Sequence, residues 1–237
     1  MHLAHLLLRK VRWVIKLILF DIDDTLVDHQ AGAFQAMQRI SSLMIKLNYA
    51  DDRYDFSEFI RSYETMSHTL WSQFELGEVD ISTLLEKRFI YIYDWFGVKG
   101  FDFGFIEKEY WNTYIENCSL KNEWLPLLQQ LSSTFPLAIC SNGMEFVQRR
   151  KLVYTNILPF FSHFYFGNYY PDCKPDERFF KKILLDFNLQ PENVLMIGDS
   201  LNNDISPCKN LGVRTLHYTG SASFQSIRQS IMELING

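Results

Sequence analysis

Short apolar runs punctuate the chain at three places. Residues 17–20 (Leu-Ile-Leu-Phe), 137–140 (Leu-Ala-Ile-Cys) and 194–197 (Val-Leu-Met-Ile) are each apolar throughout and bounded by polar or turn residues. Runs of that length without polar alternation predict strands buried on both faces, as in a parallel sheet. Further strands are predicted at 163–166 and 213–216. Helix-period segments fall at 123–133, 145–156, 177–187 and 224–235, with a short one near 207–210. Strands alternating with helices predict an α/β fold, a Rossmann-like parallel sheet covered by helices on both faces.

Between the first strand and residue 118 the pattern changes. Residues 33–47 carry Phe34, Met37, Ile40, Met44 and Leu47 at helical spacing. Residues 56–74 repeat it with Phe59, Ile60, Tyr63, Met66, Leu70, Trp71 and Phe74. A third helix is expected at 81–96, with Asp80 or Ser82 near its start, and a fourth at 103–115. Gly77, Gly97 and Gly100 separate them. The expectation is an α-helical bundle, residues 32–117, inserted into a core made of 16–31 and 118–237. Its aromatic residues, among them Tyr63, Trp71, Phe89, Tyr93 and Phe96, are expected to form packing core, with a minority left to line a pocket.

Residues 1–15 read as an extension. Arg9, Lys10 and Arg12 interrupt its apolar positions, so it cannot span a membrane, and it lacks the order of a signal peptide. A natural start near Val14 is a second reading.

Composition narrows the class. The net charge of -5 argues against a nucleic-acid polymer as partner. Cys118, Cys140, Cys173 and Cys208 fit neither zinc nor CxxC spacing and are read as reduced thiols, which suits a cytoplasmic protein. No membrane partner is expected, and oligomeric state is left open.

The predicted strand ends carry the chemistry. Asp21 and Asp23 follow the first strand, Ser141-Asn142-Gly143 the second, and Asp199-Ser200 a later one, with Asp204 five residues on. Lys174 precedes a helix. In a parallel sheet such strand ends meet at one edge, where ligands bind. Together they suit phosphoryl transfer. Asp21 is the candidate nucleophile, forming an acyl phosphate that water hydrolyses. Asp23 is the candidate acid and base. Asp21 and Asp199 are placed to share Mg²⁺, a hard cation that prefers carboxylates. Ser141 and the N–H groups of Asn142 and Gly143 are candidate donors to phosphate oxygens, and Lys174 adds positive charge. Thr25 reads as a turn-stabilising hydroxyl.

The ordered set resembles the four motifs of the haloacid dehalogenase-like hydrolase superfamily. They stand here as Asp21-Ile22-Asp23-Asp24-Thr25-Leu26, Ser141-Asn142-Gly143, Lys174-Pro175-Asp176 and Gly198-Asp199-Ser200-Leu201-Asn202-Asn203-Asp204. The resemblance implies a helical cap inserted after the first motif and a bound Mg²⁺. Asp199 would be a metal ligand, Asp23 would reach the metal through its backbone carbonyl, and Asp204 would ligate it or order its waters. Dehalogenases of the family lack the second aspartate, so Asp23 argues for phosphate chemistry. The Asp-Asp-Thr-Leu form and the cap segment 70–79 are similar to the nucleotidase-like branch. The expected substrate is therefore a small phosphorylated metabolite, first a nucleoside monophosphate. A sugar phosphate, phosphoglycolate, phosphomutase chemistry and a noncatalytic binding role are the alternatives. Arg88, on the third cap helix, is expected either to meet the substrate or to form a surface or interhelical salt bridge. The loop 167–173 and the segment 205–208 depart from the branch.

Overall fold

In the computed structural model, residues 14–51, 53–99, 103–121, 124–220 and 223–236 are described. Of the expected extension at 1–15, residues 1–13 lie outside the described residues, as do the break at Gly100 and the helix start at Glu123, while Ile15 is buried in the core.

Five parallel strands form the main sheet in the order β5-β4-β1-β6-β7: β1 Leu17–Phe20, β4 Leu137–Ser141, β5 His163–Phe166, β6 Val194–Gly198 and β7 Arg214–His217. β1 lies in the middle. Ile18 is opposite Leu137 on one side and Leu195 on the other, and Phe20 is opposite Ile139 and Ile197. Strand side chains alternate between the faces, because successive residues point opposite ways. Ile18, Phe20, Ile139, Leu195 and Ile197 join one core with Trp124, Leu127 and Leu128 of α5 (Trp124–Ser132), Val147 and Leu152 of α6 (Glu145–Tyr154), and Ile227 and Ile231 of α9 (Phe224–Asn236). Leu17, Leu19, Ala138, Cys140, Val194 and Met196 join the other with Phe179, Phe180 and Ile183 of α7 (Glu177–Asp186) and Cys208 of α8 (Ser206–Asn210). A sheet covered on both faces explains why its strands read as unbroken apolar runs.

The inserted helices are α1 (His29–Lys46), α2 (Phe56–Glu75), α3 (Ile81–Phe96) and α4 (Phe103–Glu116). Asp28, Asp55 and Asp80 cap the first three by accepting from N–H groups of the first turn. Gly97 ends α3 with φ at 63°, a left-handed conformation that costs glycine little. Where the insertion leaves and rejoins the core, β2 (Val27–Asp28) and β3 (Ser119–Leu120) pair antiparallel.

Some expectations shift. Helix α1 starts at His29, earlier than the apolar pattern suggests, and Phe34 and the C-terminal cap residue Leu47 are exposed while Gly32, Ala36 and Ser41 are buried. The reason is close packing on α4: a β-carbon at Gly32 would sit 2.5 Å from the Tyr114 carbonyl. A π-helical turn, Leu201–Ile205, precedes α8 and has no periodic signature in the sequence. No described helix is long and apolar enough to cross a membrane. All four cysteines are buried free thiols.

Candidate active site

The site is built where β4, β1 and β6 end side by side. Asp21 follows β1 and is buried, its N–H bonded to the Ile197 carbonyl at 3.0 Å. Lys174, only 4% exposed, donates from Nζ to Asp21 at 2.7 Å and to Asp204 at 2.6 Å. Asp204 is fully buried on the π-helical turn, and its other oxygen accepts from the Ser200 N–H at 3.1 Å. Asp199 accepts from the Thr25 hydroxyl at 3.0 Å. Thr25 is thus more than a turn hydroxyl: it orients Asp199 across the β1–β6 boundary.

Asp21, Asp199 and Asp204 each offer an oxygen, all within 4.8 Å of one another. Burial raises the pKa of Asp21; Lys174 opposes this, and the charges of Asp204, Asp199 and Asp23 raise it further. Asp199 is raised too, by burial and then by Asp204 and Asp24 against the Thr25 hydrogen bond. Burial works against the charge of Lys174, but Asp204 and Asp21 more than offset it and hold its pKa well above the ordinary value. Three carboxylates gathered beside one buried ammonium, which pairs with only two of them, leave negative charge uncompensated. A hard divalent cation would relieve it, so this donor set fits Mg²⁺.

Asp23 points elsewhere. It accepts from Lys151 Nζ at 2.5 Å and from the Gln148 amide at 2.7 Å, and its side chain lies outside the carboxylate cluster. Burial pushes its pKa up, but Lys151, His29 and the Gln148 amide outweigh this and bring it down to about 2. Lys151 is 1% exposed and also donates to the Tyr114 hydroxyl at 2.7 Å, reaching from α6 to α4.

The Ser-Asn-Gly turn is organised by its neighbours. Ser141 Oγ accepts from the Gly143 N–H at 3.2 Å and from Gln148 at 3.0 Å. A β-carbon at 143 would lie 1.9 Å from the Gln148 amide nitrogen, so the glycine makes room for that side chain. The Asn142 side chain clasps the backbone of Lys174, accepting from its N–H at 2.8 Å and donating to its carbonyl at 2.6 Å.

Over these groups lies a cavity of about 600 Å³ shared by core and cap. Asp21, Asp23, Ser141, Asn142, Gly143, Lys174, Asp199, Asp204 and Arg88 all line it, so the sequence-predicted residues are brought together. Arg88 forms neither a surface nor an interhelical salt bridge among the described residues: it is buried, with Nε and Nη2 each 3.0 Å from the hydroxyls of Tyr63 and Tyr110. Sequence reading missed Gln148, Lys151 and Tyr114. For Gln148 and Lys151 the signal was polar groups on a buried helix face. Val147, Gln148, Lys151 and Leu152 share one side of α6, positions at which a surface helix would carry only apolar residues.

Comparison with known proteins agrees with this geometry. The chain is 27% identical over 205 residues to the pyrimidine 5'-nucleotidase PynA of Streptococcus pneumoniae, covering 86% of this chain and 83% of that protein. It is 27% identical over 218 residues to the glyceraldehyde 3-phosphate phosphatase of Pyrococcus abyssi, covering 86% and 82%. Among solved structures, the HAD-hydrolase YfnB of Bacillus subtilis, bound to magnesium, superposes with a TM-score of 0.76 at 23% identity, covering 93% of this chain and 99% of that one. The family model for haloacid dehalogenase-like hydrolases matches residues 15–212. A match of that extent, over a site with the four motifs at adjacent strand ends, means that this chain belongs to the haloacid dehalogenase-like hydrolase family.

Proposed function

We propose that the protein is a Mg²⁺-dependent phosphatase of a small phosphorylated metabolite. The observation that carries this reading is the contact of Lys174 with both Asp21 and Asp204, beside Asp199, at the end of the central strand. Asp21, Asp199, Asp204 and the Asp23 carbonyl would hold the ion, which when bound offsets negative charge between nucleophile and phosphate.

In this reading Asp21 Oδ attacks phosphorus, the ester oxygen leaves, and an aspartyl phosphate forms. Asp23 protonates the leaving oxygen and then takes a proton from the water that releases phosphate. Lys151 and Gln148 keep Asp23 ionised at rest, which suits the second step directly. For the first, Asp23 takes up a proton as the substrate dianion enters, whose charge opposes ionisation. Ser141 and the turn N–H groups of Asn142 and Gly143 donate to phosphate oxygens once substrate displaces the Gly143–Ser141 bond. Lys174 holds Asp21 in line and offsets charge on the transferred group. Residues 32–117 act as a cap domain over a core of 16–31 and 118–237, excluding water when closed.

Similarity to a pyrimidine 5'-nucleotidase makes a nucleoside monophosphate the first substrate, and Trp71 and Trp111 in the cavity wall offer a base stacking surfaces. Similarity to a glyceraldehyde 3-phosphate phosphatase supports a sugar phosphate as the second reading. The test is hydrolysis of p-nitrophenyl phosphate and a panel of nucleoside monophosphates and sugar phosphates by the full chain. Turnover with Mg²⁺ that stops with chelator is expected; no phosphate release from any of them rejects the proposal.

A further inference from the structure

Among the described residues, three buried lysine and arginine side chains line the cavity, and two are neutralised. Lys174 is paired with Asp21 and Asp204, and Lys151 with Asp23. Arg88, 8% exposed, has no acid within ion-pair distance among the described residues; its hydrogen-bond partners there are the two phenols. Its guanidinium carbon also lies 5.6 Å and 5.8 Å from the ring centroids of Tyr63 and Tyr110. The acids that share the cavity wall do not serve it. Glu75 instead accepts from Asn203 at 2.6 Å, and Glu64 is exposed on α2.

Burying a guanidinium without a counter-charge is costly, and neutral phenols satisfy donors without cancelling charge. A packing role would be met by an apolar side chain at no such cost. Three cap helices nevertheless converge on this group, Tyr63 from α2, Arg88 from α3 and Tyr110 from α4, and two hydrogen bonds use two of its five donors. A chain of contacts also leads from it to Asp23. Tyr110 stacks on Tyr114 with centroids 5.9 Å apart, Tyr114 accepts from Lys151, and Lys151 holds Asp23.

We propose that Arg88 is the receptor for an anionic oxygen group, a carboxylate or a second phosphate, carried by the leaving group of the substrate. The inference rests on the phosphatase reading but not on a nucleoside leaving group. It concerns the leaving group's own charge: an ester whose leaving group carries an anion gains a contact at Arg88 that a neutral nucleoside or sugar does not.

The test is kcat/KM of the full-length enzyme with Mg²⁺ on matched pairs. 2-Phosphoglycolate is compared with ethyl phosphate for the carboxylate, and fructose 1,6-bisphosphate with fructose 6-phosphate for the second phosphate, with p-nitrophenyl phosphate as reference. In the wild type, one anion-bearing member is expected to exceed its neutral partner by about 30-fold, the worth of a charge-assisted hydrogen bond. Arg88→Met should erase that ratio, and Arg88→Lys should keep part of it. The wild-type ratios stand alone if a variant does not fold. Hydrolysis of p-nitrophenyl phosphate with both ratios near one, or a ratio that survives in Arg88→Met, overturns the assignment of Arg88 and leaves the phosphatase reading intact. No hydrolysis of any ester overturns both.

Discussion

Lys151 Nζ lies 2.5 Å from Asp23 Oδ1, joining the middle of α6 to the turn after β1. The two differ in access to water: the lysine side chain is 1% exposed and the aspartate 29%. Breaking the pair from either side therefore has different consequences. Asp23→Ala leaves a buried ammonium with only Tyr114 among its described partners, and should destabilise the fold by about 3 kcal/mol. Lys151→Met leaves a carboxylate that water can reach, so its stability loss should be smaller. Denaturant melts of the two variants check the ordering; a larger loss in Lys151→Met refutes it.

The same pair sets a pH dependence. The pKa of Asp23 is depressed to about 2, so its stabilising contribution is complete above the unfolded carboxylate value, about 4, and is lost as pH falls toward 2. Lys151→Met removes the main depressing charge and should raise that pKa. In the kcat/KM profile, which covers the step where Asp23 protonates the leaving oxygen, the limb that falls as Asp23 ionises should then move to higher pH; an unmoved limb would separate Asp23 from the rate.

Asp21 and Asp199 shift the other way. A carboxyl whose folded pKa is raised stabilises the fold fully below the unfolded value and progressively less as pH rises through the folded one. Chelated wild-type protein should therefore lose thermal stability from about pH 4 upward on account of these groups, and Mg²⁺ should restore it. Asp21→Asn should raise the melting temperature of the chelated protein and weaken its response to Mg²⁺. It should also lower turnover by about four orders of magnitude or more. Calorimetry with and without chelator, beside the kinetics, tests all three.

Gly198 ends β6 where Asp204 packs against it. A β-carbon at 198 would lie 2.3 Å from Asp204 Oδ2 and 2.5 Å from its Cγ, so Gly198→Ala must displace that carboxylate. Affinity for the divalent ion is expected to fall by about 10-fold or more, as when groups that orient metal ligands are lost. Titration calorimetry with Mg²⁺ measures it, and unchanged affinity would argue against Asp204 as a ligand.

Asn142→Ala removes both side-chain bonds to the Lys174 backbone. The expected cost is about 2 kcal/mol of stability, with a fall in kcat as Lys174 loses its fixed approach to Asp21. Retained kcat would show that the Asp21 and Asp204 contacts position Lys174 without help.

The parallel strands were legible because burial on both faces removes polar residues from them, which leaves a mark in one dimension. The motif residues were legible because each follows such a strand or opens a helix: Asp21 after β1, Ser141 at the end of β4, Asp199 after β6, Lys174 ahead of α7. Gln148 and Lys151 were not, because a polar residue on an amphipathic helix reads as solvated until its face is known to be buried. Arg88 stayed ambiguous for the same reason. Nothing in its neighbourhood along the chain tells a salt bridge from a buried cation whose partners, Tyr63 and Tyr110, lie on two other helices.

The local sequence by itself determined where carboxylates, hydroxyls and the lysine stand relative to strand ends, since alternation, run length and capping act over a few residues. The tertiary structure alone decided how they divide. By setting β4 and β6 on either side of β1, it gathers Asp21, Asp199 and Asp204 around one charge deficit. By packing α4 over α6, it gives Asp23 a separate partner in Lys151. Burial strengthens charge interactions over a few ångströms, and such proximity between residues far apart in sequence exists only once the chain is folded.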